Sequence, residues 1–150
     1  METILLVDDQ ADVLALARDI LQDKGYRILE AGDAEQALQI AHAHAEPIHL
    51  LLTDVVMPGM NGRQLAGRLS RERPGMRVLY MSGFTLVLAH HDILEGAPDF
   101  EAGTPIIAKP FSVDGLIQKV REVLESRAPS RSPFDRARAG RESRPDPWWP

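Results

Sequence analysis

The chain has 150 residues, 44% hydrophobic and 26% charged, with a formal net charge of −5 and no cysteine. That length suits one domain with a full apolar core plus a short appendage, and the missing cysteines remove disulfides, thiolate catalysis and Cys-based zinc sites, so any metal must be held by oxygen or imidazole. The acidic balance argues against direct DNA binding by the chain as a whole, and no apolar run approaches the ~20 residues of a membrane span.

The N-terminus opens on Met1, Glu2 and Thr3 with no basic flank, unlike an export signal, and a cytoplasmic protein without membrane association is expected. Ile4 to Val7 is a strand-sized apolar run, followed by a helix on which Val13, Leu16, Ala17, Ile20 and Leu21 keep the 3.6-residue period. Gly25 stands where a helix stop belongs, and Tyr26 to Leu29 reads as a second strand. Asp33 with Gln36 has the spacing of a capping box opening a second helix. The same alternation repeats with strands at Leu50 to Leu52, Val78 to Met81 and Pro105 to Ala108. Helices are expected at about 62–71, 86–95 and 112–126. The last carries Val113, Leu116, Ile117, Val120 and Leu124 on one face behind Ser112 as its cap.

Five βα units in residues 1–127 predict an α/β domain: a five-stranded, doubly wound parallel sheet flanked by five helices, since parallel strands need crossover connections. Continuous apolar strands fit burial on both sides, and Arg27 marks the second strand as an edge. Residues 128–150 hold five of the eleven prolines, five arginines and no aliphatic residue larger than alanine, and read as a disordered Pro/Arg-rich tail. Removing its five basic and three acidic residues leaves 12 basic and 19 acidic, so residues 1–127 carry about −7 and the tail about +2. Phe134, Trp148 and Trp149 in that tail are read as incidental aromatics.

In doubly wound sheets ligands bind outside the carboxyl ends of the strands. Asp8 and Asp9 follow the first strand, Asp54 the third, Ser82 the fourth and Lys109 the fifth. Each alone has an ordinary explanation: Asp8 or Asp9 as a helix cap, Asp54 as a turn former before Met57, Pro58 and Gly59, Ser82 as loop chemistry beside Gly83, Lys109 as a solvated charge. Local structural needs do not gather all five at one edge of one sheet. Three carboxylates there repel by several kcal/mol, on the order set by partly buried unpaired charges, so a cation is expected among them. An all-oxygen donor set indicates Mg2+ or a similar hard ion. The histidines at 42, 44, 49, 90 and 91 do not share helix faces and read as surface or boundary residues.

The segments LLVDDQADV, LLLTDVVMPGMNG, VLYMSG and AKPFS resemble the four signature regions of CheY-like response-regulator receivers, over roughly residues 3 to 126. The TDVVMPGMNG and SGF stretches are most similar to receivers of hybrid sensor histidine kinases. The resemblance implies a flavodoxin-like strand order 2-1-3-4-5 and a two-component phosphorelay. In it Asp54 would accept a phosphoryl group from a histidine kinase or phosphotransfer protein. Asp8, Asp9, Asp54 and the Val56 backbone carbonyl would hold Mg2+, with Lys109 and Ser82 contacting phosphoryl oxygens. It further implies a cis Lys109–Pro110 peptide, an output through a downstream protein target, and the homodimerisation common among relatives as an open question. Ile106 departs from the aromatic that the family often places three residues before this lysine, so coupling is expected instead through the backbone of Ser82 to Phe84 and the following helix. The stretch from Phe84 to Thr104 is several residues longer than usual for the family.

No DNA-binding output domain is expected after residue 127. A magnesium-dependent phosphatase with an aspartyl nucleophile would need an acid/base carboxylate two residues after Asp54, where Val56 stands. A binding module that has lost phosphorylation is disfavoured, because the acidic residues, Ser82 and Lys109 are all present. The expectation is a phosphoacceptor signalling domain, not an enzyme.

Overall fold

The computed structural model describes residues 1–83 and 104–126. Its strands are β1 (Thr3–Val7), β2 (Arg27–Ala31), β3 (Leu50–Asp54), β4 (Arg77–Gly83) and β5 (Ile106–Lys109), and its helices are α1 (Ala11–Asp23), α2 (Ala34–Ala43), α3 (Gly62–Glu72) and α4 (Val113–Leu124). All strand pairs are parallel, in the order β2-β1-β3-β4-β5. The helix expected over 86–95 lies outside the described residues, as does the tail at 128–150.

The sequence of each inner strand explains its place. TILLV and LLLTD are buried at every position, because alternate residues point to opposite faces and both faces are covered. Leu5, Val7, Leu51, Val78 and Tyr80 pack with α2 and α3 on one side. Ile4, Leu6, Leu50, Leu52, Leu79 and Met81 pack with α1 and α4 on the other. β2, with Arg27 exposed, is an edge as its polarity predicts.

Local signals set the element ends. α1 stops in a Schellman arrangement, with Gly25 N–H donating to Gln22 O and Tyr26 N–H to Leu21 O, and Gly25 takes φ +93°, which favours glycine. Asp33 accepts from Gln36 N–H at 2.7 Å, but the reciprocal arm of the expected capping box lands one residue early, on Gly32 N–H. Ser112 caps α4 through Gly115 N–H at 2.9 Å, as expected. The apolar stripes read from sequence are wider than the faces actually buried. α1 buries Ala17, Ile20 and Leu21 and leaves Leu16 49% exposed; α4 buries Leu116, Val120 and Val123 and leaves Val113 53% exposed.

Candidate functional site

The strand registers bring the predicted residues to one level. Val7 pairs with Thr53, Asp54 with Met81, Ser82 with Ala108 and Gly83 with Lys109. Asp54 and Lys109 are the closing residues of β3 and β5, and Ser82 is the last but one of β4, so none lies beyond its strand, which corrects the shorter strands drawn from sequence. The reason is physical: a polar residue ends an apolar run in the sequence, yet its backbone still has a ladder partner.

Asp8 follows β1 with its N–H still bonded to Ala31 O at 3.2 Å, and the residue is fully buried. Neither Asp8 nor Asp9 is the helix cap that each alone suggested. Gln10 holds the N-cap position of α1, and its side chain makes no capping bond. Asp8 Oδ1 instead accepts from Gln10 N–H at 2.8 Å, leaving Oδ2 directed at Lys109. Asp9 is exposed, but one of its carboxylate oxygens lies within 4.8 Å of oxygens from Asp8 and Asp54.

Lys109 reaches back from the end of β5. Its Nζ is 3.2 Å from Asp8 Oδ2, 3.3 Å from Asp54 Oδ2 and 3.3 Å from Gln10 Oε1. Burial pulls the ammonium down, but Asp54 and Asp8 outweigh it and its pKa is raised overall. Burial is also the largest influence on Asp54, which is 6% exposed; with the nearby Asp8 charge it outweighs Lys109 and pushes the carboxyl up to about 6. The Lys109–Pro110 peptide is cis.

Three carboxylates against one ammonium leave the cluster formally at −2 among the described residues. Three oxygen donors from Asp8, Asp9 and Asp54, close together and under-neutralised, fit a hard divalent cation, for which oxygen ligands are the normal set. Ser82 is 2% exposed and sits one residue past Met81, the register partner of Asp54. Val56 is two residues beyond Asp54 with its side chain 63% exposed.

Sequence reasoning missed a residue that shapes this edge. Gly62 opens α3 with its N–H on Val55 O at 2.8 Å, and a Cβ built there would fall 2.1 Å from Asp54 O and 3.1 Å from Val55 Cα. Glycine is required because α3 is seated directly on the backbone that carries Asp54. Asn61 and Gln64 close this junction with a reciprocal capping box at 2.8 and 2.9 Å. The available signal was Asn61 followed three residues later by Gln64, after the Pro58–Gly59 turn.

Of the histidines, His42 Nε2 lies 2.9 Å from Glu72 Oε1, and His49 Nδ1 accepts from Thr3 N–H at 2.9 Å where β3 begins beside β1. Both fit the surface or boundary reading. His90 and His91 lie outside the described residues. Ile106 packs against the core beside Tyr80, its partner in β4.

Comparison with known proteins gives the family and the fold. The family model described as response regulator receiver domain matches residues 4–121. The response regulator receiver protein CpdR of Brucella abortus (strain 2308) is 29% identical over 124 residues, covering 83% of this chain and 98% of CpdR. The sensor kinase CckA of the same organism is 31% identical over 123 residues, 82% of this chain but 12% of that kinase. The crystal structure of a receiver domain from hybrid histidine kinase CckA superposes with a TM-score of 0.66 at 30% identity, covering 82% of this chain and 99% of that one.

Proposed function

Because the chain belongs to the response regulator receiver domain family of two-component systems, we propose that Asp54 is its phosphoacceptor, charged by a histidine kinase or phosphotransfer protein. The observation that carries this is the meeting of Asp54, Asp8 and Lys109 through contacts of 3.2 and 3.3 Å at the carboxyl edge of the sheet. A carboxylate nucleophile, a cation-binding pair of acids and a positive point charge are the parts phosphoryl transfer requires.

In this reading an Asp54 oxygen forms a bond to phosphorus as the bond from phosphorus to the donor nitrogen breaks, and the product is an acyl phosphate. Above a pH of about 6 Asp54 is ionised and competent to attack. Asp8, Asp9, Asp54 and the Val56 carbonyl would hold Mg2+, which would neutralise charge on the phosphoryl oxygens. Lys109 exchanges its Asp54 contact for a phosphoryl oxygen and keeps a positive charge beside it. The Ser82 hydroxyl donates to another oxygen, and its movement draws on the end of β4. That displacement changes a surface read by a downstream protein. Among the described residues no helix is long and apolar enough to cross a membrane. We place the module in the cytoplasm, acting through protein contact rather than DNA.

The test is intact mass after incubation with a small phosphodonor and magnesium. A gain of one phosphoryl group, lost in Asp54→Asn and in chelator, is expected. No gain in folded wild type with a verified donor would refute the assignment.

A further inference from the structure

The side chain of Gln10 is placed in a way that neither its helix nor the core explains. It is the N-cap residue of α1, in extended conformation at φ −94° and ψ 112°, yet its side chain makes no bond to the helix it opens. An N-cap side chain ordinarily accepts from the second or third N–H of its helix, and an unused cap is a stabilising contact forgone. The Gln10 carbonyl oxygen instead accepts from Lys109 Nζ at 3.3 Å, from a residue 99 positions away in sequence. Its backbone N–H donates to Asp8 Oδ1 at 2.8 Å. The side chain and the backbone N–H of Gln10 therefore both serve the cluster, while its backbone carbonyl accepts from Leu14 N–H at 3.0 Å as the first bond of α1.

An ammonium has three N–H bonds, and Lys109 has three acceptors: Asp8 Oδ2, Asp54 Oδ2 and Gln10 Oε1. Two of the three are carboxylates that a divalent cation would also claim, and a phosphorylated Asp54 presents a new oxygen in place of its own. The amide of Gln10 is neutral and is not among the three acids that could hold a metal ion. It is the acceptor that neither the cation nor the phosphoryl group would claim, although it is open to water. We propose that Gln10 is a positioning residue, which keeps the Lys109 ammonium at the mouth of the site when the carboxylates turn to a cation and a phosphoryl group. This rests on the phosphoacceptor reading of Asp54 and names the residue that holds its cationic partner.

The experiment is a double-mutant cycle on the full chain. The apparent dissociation constant for beryllofluoride, a phosphoryl analogue, is measured at saturating magnesium by fluorine NMR. The four proteins are wild type, Gln10→Ala, Lys109→Met and the double variant. Since Gln10 makes no capping bond, Gln10→Ala is expected to fold with unchanged circular dichroism. It should weaken beryllofluoride binding about three- to tenfold, the range of one ordinary net hydrogen bond, because this bond is open to solvent. In the Lys109→Met background the same change should have no effect, because Gln10 acts through Lys109. Equal weakening in both backgrounds, or none in either, overturns the inference while leaving Asp54 as the acceptor. Failure of folded wild type to bind beryllofluoride would overturn the phosphoacceptor reading itself.

Discussion

The elevated Asp54 carboxyl makes a stability prediction that runs against the usual effect of altering a site residue. In the metal-free protein Asp54 is pushed from 3.8 to about 6, mainly by burial and then by Asp8. A native pKa above the unfolded one means that the native state holds the proton more tightly. Stability from this group is therefore fully present below pH 4, falls as pH rises from about 4 to 6, and is absent above that. Two units correspond to about 3 kcal/mol at neutral pH. Asp54→Asn keeps the shape and removes the charge, while Lys109 retains Asp8 and Gln10 as acceptors. That shift already contains the opposing Lys109 contact, so the variant should be more stable than wild type by about 2–3 kcal/mol at pH 7.5 in chelator, or roughly 5–15 °C in Tm. The gap should close by pH 4. Urea denaturation followed by circular dichroism from pH 4 to 8, with and without magnesium, reads both quantities. Equal or lower stability of Asp54→Asn at pH 7.5 in chelator, or a gap independent of pH, would refute the account of a carboxylate held ionised at a cost.

Other perturbations test the neighbouring contacts. Gly62→Ala places a methyl 2.1 Å from the Asp54 carbonyl oxygen, so α3 must lift from β3; a loss of several kcal/mol, on the scale of overpacking, should appear in urea unfolding together with weaker magnesium binding. Asp9→Asn removes one exposed oxygen charge from the three-acid cluster and should weaken magnesium severalfold by calorimetry with little change in metal-free Tm, since Asp9 is outside the buried core. Arg73→Met strips donors from the carbonyls of Ala41, His44 and Glu46 at the end of α2, and should cost about 1–3 kcal/mol in the same unfolding assay while leaving phosphoryl uptake intact.

The sheet was legible because its inner strands are buried on both faces and therefore read as unbroken apolar runs; Leu50 to Leu52 has no other comfortable place in a soluble protein. The four acid and base residues were legible because each interrupts such a run at the same end. Less could be read where one residue serves two neighbours. Leu16 and Val113 carry the right periodicity but lie on the margin of their helices' buried faces, and periodicity does not say how wide the opposing surface is. Gly62 was invisible as a site residue because its role is the absence of a side chain, and only the approach of the Asp54 carbonyl shows it. Gln10 was hidden by a contact that spans the whole domain.

Those long-range contacts explain how the protein's own groups answer the charge at the site. Asp8 is fully buried and Asp54 nearly so, and two such carboxylates at adjacent strand ends would drive the edge apart if left bare. Lys109 lies between them and serves as the internal counter-ion, but one positive charge answers only part of three negative ones. The remaining repulsion, together with burial, raises the Asp54 carboxyl to about 6, so protonation relieves the cluster only below that pH. Below that pH a dication entering the cluster competes with the proton on Asp54. Magnesium binding should accordingly release protons near pH 6 and tighten as pH rises through that value. On the phosphoacceptor reading, a cation that drew Asp54 away from Lys109 would leave the ammonium available to a phosphoryl oxygen.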